Sequence, residues 1–399
     1  MALDLTSLRA HFPALATGLA FFDGPAGTQT PTVVADAMAT TLTQPLSNRG
    51  PLGESALNAE NAVQDFRAAY ADLLNMPAAG IVHGRSATQL TYDFSRHLAK
   101  TWREGDEIIL SRLDHDANVR PWVQAAARAG VTVRWIEIDP ATTELDLDSY
   151  ELALSSRTRL VAVTAASNVL GTKPPVRQIA DRAHAVGALV YVDGVHYASH
   201  HLVDVPALGA DLFVCSPYKF LGPHCGVLAG APDVLESLSP DKLVPSPDSV
   251  PERFEFGTLP YEILAGATAA VDFIAAMDPS PAATRRGQLS QSLAALEDLE
   301  MTIRTRLQEG LDGFGDTITV HSRARDRTPT MLMSLRDRDA RDAVTHLAPR
   351  KIVAAAGSFY AYEPFRALKL EDPALRVGLA PYNTADEVDR LLAGLGDFL

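Results

Sequence analysis

Between residues 80 and 230 the chain alternates short apolar runs with stretches of helical periodicity. The runs are 80–83, 107–111, 131–138, 160–166, 188–192, 212–215 and 226–229. Each has the length of a strand and little internal alternation, which is the pattern of strands buried on both faces. Between two of them, the segment Val176-Arg177-Gln178-Ile179-Ala180-Asp181-Arg182-Ala183-His184-Ala185-Val186 places its apolar residues at helical spacing, and Gly187 stops it. Strands alternating with helices predict an α/β fold whose seven-stranded sheet is mainly parallel and covered on both faces. Ligands of such sheets sit outside the carboxyl ends of the strands, so the polar residues that follow each run are the candidates for chemistry.

Beyond the runs the pattern changes. Residues 231–255 are rich in Pro, Ser and Asp and predict a long surface loop. A helix is expected from about Ile263 to Met277, stopped by Pro279-Ser280-Pro281, and a long amphipathic helix over 284–310. Short strands and a closing helix over 385–398 complete a smaller α+β domain. The boundaries expected are 22–277 for the large domain, with 1–21 and 278–399 forming the small one.

Composition narrows the function classes. The 399 residues are 47% hydrophobic and 21% charged, ordinary for a globular protein, and the net charge is −14. That balance disfavours nucleic acid and anionic membranes as partners. No stretch approaches the ~20 apolar residues that span a bilayer. The start, Met1-Ala2-Leu3-Asp4-Leu5, lacks the basic flank and apolar core of a signal peptide. Cys215 and Cys225 form neither a disulfide framework nor a zinc spacing. They are expected as small buried apolar residues of a reduced, cytoplasmic protein.

Two strand ends stand out. The run through Val190-Tyr191-Val192 ends in Asp193-Gly194-Val195-His196, and Leu212-Phe213-Val214-Cys215 ends in Ser216-Pro217-Tyr218-Lys219. Taken singly, Asp193 reads as a turn acid and Lys219 as a snorkelling surface lysine. Together they suit an aldehyde cofactor. Imine formation needs an amine of lowered pKa, which desolvation provides, and a pyridine ring acting as electron sink needs a buried carboxylate at its nitrogen. A phosphate would find backbone N–H groups in Gly84-Arg85-Ser86-Ala87-Thr88, where a strand gives way to a helix, although plain helix capping leaves the same pattern. His115, in Asp114-His115-Asp116, stands at another strand end. It reads as a loop histidine, a general acid/base or a ring stacked on a cofactor. No Gly-x-Gly-x-x-Gly follows a strand in the right place for a nicotinamide site.

At this point the residues resemble the Suf-type cysteine desulfurases, in the class V aminotransferase group of fold-type I pyridoxal 5'-phosphate (PLP) enzymes. The phrases that carry the resemblance are Ser167-Asn168-Val169-Leu170-Gly171, Asp193-Gly194, His200-His201-Leu202-Val203-Asp204-Val205 and Ser216-Pro217-Tyr218-Lys219 before Gly222-Pro223. Near the end, Arg376-Val377-Gly378-Leu379-Ala380-Pro381-Tyr382-Asn383-Thr384 adds to them. The resemblance implies PLP as cofactor, Lys219 as the Schiff-base lysine, Asp193 at the pyridine nitrogen and His115 over the ring. It implies Asn168 and His196 at the ring hydroxyl, where desulfurases usually carry Gln in place of His196. It places Gly84, Arg85, Ser86, Ser216 and Tyr218 at the phosphate, and Tyr218 stands where His is usual. Thr258, in Gly257-Thr258, matches a threonine that reaches the phosphate of the partner subunit, which implies a homodimer with shared sites. Arg376 matches the arginine that holds the substrate carboxylate.

The departures bear on the reaction. Desulfurases carry a cysteine on a mobile loop, and the corresponding stretch here is Ala355-Ala356-Gly357-Ser358-Phe359-Tyr360. Tyr360 stands at or near the cysteine position, on the substrate side, and a phenol cannot form a persulfide. Ala355 stands where a second arginine is expected. The expected function is therefore a PLP-dependent enzyme acting on an amino acid, first as a C–S or other β/γ-elimination lyase, since elimination needs no thiol nucleophile. An epimerase or racemase and a transaminase are the alternatives within the class. A non-catalytic binding protein on the same fold is the alternative outside it.

Overall fold

The computed structural model describes residues 3–279, 282–370 and 373–399. Ser280 and Pro281, expected at the helix stop, lie outside the described residues, as do Met1 and Ala2 of the N-terminal stretch.

All seven apolar runs are strands of one sheet. In chain order they are β1 (Ile81–Gly84), β2 (Glu107–Ser111), β3 (Thr132–Ile136), β4 (Thr158–Thr164), β5 (Leu189–Asp193), β6 (Leu212–Cys215) and β7 (Gly226–Gly230). The order across the sheet is β1-β7-β6-β5-β4-β2-β3. Six strands, β1 and β6-β5-β4-β2-β3, run in one direction, and β7 alone is antiparallel, to both its neighbours. The central strands are buried throughout, whereas β3, at the edge, alternates exposed and half-buried positions. Continuous apolar runs therefore mark the middle of the sheet, as burial on both faces requires.

Helices cover both faces. One face packs Val163, Val192, Phe213 and Ile179 together, and the other packs Trp122, Tyr191, Leu110 and Phe94. The helix expected over 176–186 is Val176–Ala185. The helix expected near 263–277 is Tyr261–Ala275, and the long one is Arg285–Asp312, about 42 Å at 1.5 Å per residue. The closing helix Ala385–Phe398 starts with a full capping box between Thr384 and Glu387. The stretch 231–255 is not all loop: Pro232–Ser237 is a short helix, with proline in its first turn where the missing N–H costs nothing. No helix among the described residues is long and apolar enough to cross a membrane.

A second, antiparallel sheet comprises β8 (Ile318–Val320), β9 (Thr330–Leu335), β10 (Ala355–Gly357) and β11 (Ala374–Gly378), in the order β10-β11-β9-β8. It has its own core around Met331, Met333, Leu375 and Val377. The N-terminal pair Ala20–Phe21 crosses to Ile352–Val353, and Asp23 bridges to Gly378. Residues just after position 20 are thereby brought beside Arg376 and the ends of the large sheet.

Candidate active site

The carboxyl ends of β2, β4, β5 and β6 open on one cavity of about 650 Å³, closed on the far side by Pro25, Ala26, Phe359, Tyr360 and Arg376. Each strand delivers its residue by a different local device. At the end of β5, Asp193 Oδ1 accepts from the Val195 amide at 2.9 Å, which holds the carboxylate against its own turn. The turn needs Gly194, because a Cβ there would fall 1.8 Å from the ring of the buried Phe213. At the end of β6 a short 3-10 turn, Pro217–Lys219, lifts the lysine over the cavity floor. Its Nζ donates to the carbonyl of Pro25 and lies 5.0 Å from the centre of the Tyr218 ring.

The turn after β2 is built on a buried acid. Asp114 accepts from the Ser111 hydroxyl and, at 2.7 Å, from the amide group of Asn118. Trp122 Nε1 donates to Asn118 in turn at 2.9 Å. His115, the next residue, lines the cavity with its Nδ1 accepting from the Ala117 amide at 3.0 Å. After β1, Ser86 caps the helix Ala87–Ala99 by accepting from the Gln89 amide at 3.1 Å. Gly226 of β7 allows this turn to sit on the sheet, since a Cβ there would lie 2.3 Å from the Ser86 carbonyl carbon.

The electrostatics follow from burial. Desolvation is the larger cause that pushes the Lys219 ammonium down to about 7, and Arg376 adds to it against the opposing pull of Asp193 and Asp23. Asp193 is raised to about 6, by burial against the opposing Val195 hydrogen bond and the Lys219 charge, and so is still ionised at neutral pH. His115 falls to about 4, through desolvation and then the charges of Lys219 and Arg376, and is a neutral imidazole. His196 is buried and pushed well below the usual histidine range for the same first reason, and its Nε2 meets the hydroxyls of Thr328 and Thr330 at 2.9 and 3.0 Å. Even Arg376 is lowered, to about 10, by burial.

The cavity thus brings together Ser86, His115, Asn168, Asp193, His196, Ser216, Tyr218, Lys219, Tyr360 and Arg376. Gly84, Arg85 and Thr258 are not among its walls. They line a separate hollow with His224 and Cys225, where Arg85 is exposed, while Ser86 occupies the capping position. Tyr360 is 77% exposed at the rim. Both cysteines are buried away from the cavity, and desolvation raises both thiols, Cys225 to about 12. Thr88, from the phosphate-turn motif, and Phe359, from the stretch before Tyr360, line the cavity as well, as do Tyr92, Arg120 and Thr164, which no motif singles out. Asp23 lies beside them with a buried, unpartnered Oδ1. Its only trace in the sequence is the turn-forming run Asp23-Gly24-Pro25-Ala26-Gly27.

Residues 20–391 match the aminotransferase class-V family model. The chain belongs to the class-V aminotransferase family. Members of the family are PLP-dependent enzymes, and the chain is such an enzyme by family. It is 32% identical to a cysteine desulfurase of Klebsiella pneumoniae, over 99% of this chain and 98% of that one. It is 31% identical to an aminotransferase-like protein of Gibberella zeae, with the same shares covered. Among solved structures it is similar to the cysteine desulfurase CsdA of Escherichia coli, with a TM-score of 0.88 at 26% identity, covering 100% of this chain and 98% of the other.

Proposed function

We propose that this class-V enzyme holds PLP through Lys219 and acts on an amino acid as a lyase, breaking a C–S bond or another bond by β- or γ-elimination. The observation that carries the proposal is the Lys219 amine, held down to about 7 in a cavity that also presents a buried carboxylate, Asp193, and a buried guanidinium, Arg376. An amine of that pKa is partly neutral at pH 7, so it can both attack a carbonyl and take or return a proton.

The polar atoms present fit the cofactor. Asn168 Oδ1 and Arg376 Nε are buried without partners, which a bound ligand would supply. Asp193 would pair with the pyridine nitrogen, and the ring of His115 would lie over the cofactor. Asn168 and His196 would meet the ring hydroxyl. Ser86, Ser216 and Tyr218 would meet the phosphate, with Gly84 and Arg85 behind the same turn. Thr258, exposed and outside this cavity, would serve a partner subunit's cofactor in a homodimer. When bound, the cofactor supplies an electron sink for the substrate's α-carbon.

The remaining work falls to the chain. Arg376 would take the substrate α-carboxylate, and Tyr360 would face its side chain. Lys219, once freed of the cofactor, would remove the α-proton. Elimination is preferred to sulfur transfer because the rim offers Tyr360 and no thiol, and both cysteines are buried with raised thiol pKa values. The second choice is epimerisation, favoured by the neutral His115 in the same cavity as Lys219, since that reaction needs two groups to exchange a proton at one carbon. The test is to load the protein with PLP and supply sulfur-containing L-amino acids in D2O. Elimination from an S-substituted cysteine, with one water taken up, releases ammonia, pyruvate and the thiol, and cysteine itself releases hydrogen sulfide in place of the thiol. Deuterium at Cα with inversion and no keto acid would instead establish the epimerase.

A further inference from the structure

Arg376 sits in the middle of β11 and is 3% exposed. Its guanidinium carbon lies 3.9 Å from the centre of the Phe359 ring, and its Nη1 donates to the Asn168 carbonyl at 3.0 Å. Its Nε is buried and has no partner. The ring thus holds one face of the guanidinium and the carbonyl holds one corner. The Nε edge is left for an anion, and a fixed guanidinium edge suits a carboxylate approached bidentately.

Phe359 is itself held by unusual means. Phe359 and Tyr360 have φ of 55° and 54°, two successive non-glycine residues in the left-handed region. Such a turn persists only where its surroundings determine it. Asn168 Nδ2 donates to the Phe359 carbonyl at 3.0 Å, and the Asp116 amide donates to the Tyr360 carbonyl at 2.7 Å. Three residues beyond Tyr360, Glu363 is 2% exposed and has both oxygens occupied. Oε2 accepts from Arg112 at 2.5 Å and Oε1 from Arg120 at 2.8 Å. Arg112 follows β2 and Arg120 opens the helix Arg120–Ala129, so both arginines belong to the opposite wall of the cavity. A buried carboxylate paired twice in this way is costly to break from one side.

We infer that Glu363 and Phe359 are positioning residues: Glu363 clamps the turn of residues 357–362 to the large-sheet side, and Phe359 fixes the plane of Arg376 for a substrate that carries a free α-carboxylate. The inference rests on the proposed role of Arg376.

The experiment uses the full chain loaded with PLP and follows the cofactor's visible absorption on titration with L-alanine and with L-alaninamide, which lacks the carboxylate. Glu363→Gln and Phe359→Leu should raise the L-alanine half-saturation about tenfold, which is one 1.4 kcal/mol step. They should leave that of L-alaninamide unchanged, and Phe359→Tyr should restore the parent value. Hydrogen exchange on the same proteins should show the amides of Asp116 and Ala361 exchanging about tenfold faster in Glu363→Gln, as local opening is released. Equal weakening of both ligands, or unchanged L-alanine binding with Lys219 still tagged by borohydride, would overturn the role of Phe359. Unchanged exchange would overturn the clamp, with or without cofactor. Absence of borohydride tagging in the parent would instead count against the proposed lysine.

Discussion

The wall built by the large sheet and the wall built by residues 355–376 face each other across one cavity but are held in different ways. On the sheet side the side chains follow strand ends, and Asp193 and Ser86 are fixed within a few residues of their own sequence, by Val195 and Gln89, while His196 and Lys219 add reaches to Thr328, Thr330 and Pro25. On the other side the ties are long-range. Phe359 is held by Asn168, Tyr360 by Asp116, and Glu363 by Arg112 and Arg120. The sheet wall can therefore carry the groups whose charge and placement must not vary. The other wall can be adjusted in geometry without disturbing them, and it carries Ala355 and Tyr360, the positions at which a departure from the desulfurases is expected.

That division predicts a ranking of effects. Lys219→Ala should abolish turnover and the visible absorption of the PLP-loaded protein while the thermal transition persists. Activity surviving in this variant would break the assignment of chemistry to the sheet wall. Asp193→Asn should keep the fold and slow α-proton removal by about 10²-fold or more, since each ~1.4 kcal/mol of barrier is tenfold. Proton exchange at Cα in D2O measures it.

A pH series sharpens the same side. Because burial holds Lys219 at about 7, its neutral fraction rises as pH climbs through that value. The rate at which the PLP-free protein takes up cofactor should then rise about tenfold from pH 6 to 8 and level off above. A rate still climbing steeply from 8 to 10 would mean an ordinary exposed amine. The smallest effect belongs to the rim. Tyr360→Phe should change turnover by no more than about threefold, because an exposed side chain away from the reacting atoms contributes under ~0.7 kcal/mol. In the parent, incubation with L-cysteine should leave no persulfide on Cys215 or Cys225 by mass spectrometry, as both thiols are buried. A persulfide on Cys225 formed at the rate of turnover would show that the buried thiol reaches the substrate.

The same contrast decides how much was legible in the sequence. Strands β2 and β6 were readable to the residue, because each run is too short for a helix and is bounded by turn residues, Gly105-Asp106 before β2 and Ser216-Pro217 after β6. The residues at their ends follow from the rule that such sheets bind ligands there. The helix Pro232–Ser237 was masked by the Pro, Ser and Asp around it, and its own proline is as much a helix opener as a loop marker. The resemblance puts Arg85 and Ser86 together at the phosphate, and the fold separates them, with Ser86 capping the helix and lining the cavity and Arg85 lining the neighbouring hollow. Phe359 falls in the stretch set against the desulfurase loop, but neither its role nor that of Glu363 has a local signal. Nothing local distinguishes an aromatic stacked on a buried guanidinium, or a glutamate shared by two distant arginines, from ordinary surface residues.

The central claim is that Lys219 is the amine that holds the cofactor. The direct measurement is to load the protein with PLP, reduce it with borohydride, digest it and map the modified lysine by mass spectrometry. A single tag on Lys219, absent from Lys219→Ala, is the predicted result. A tag on another of the chain's lysines, or none on a fully folded protein, would contradict the claim.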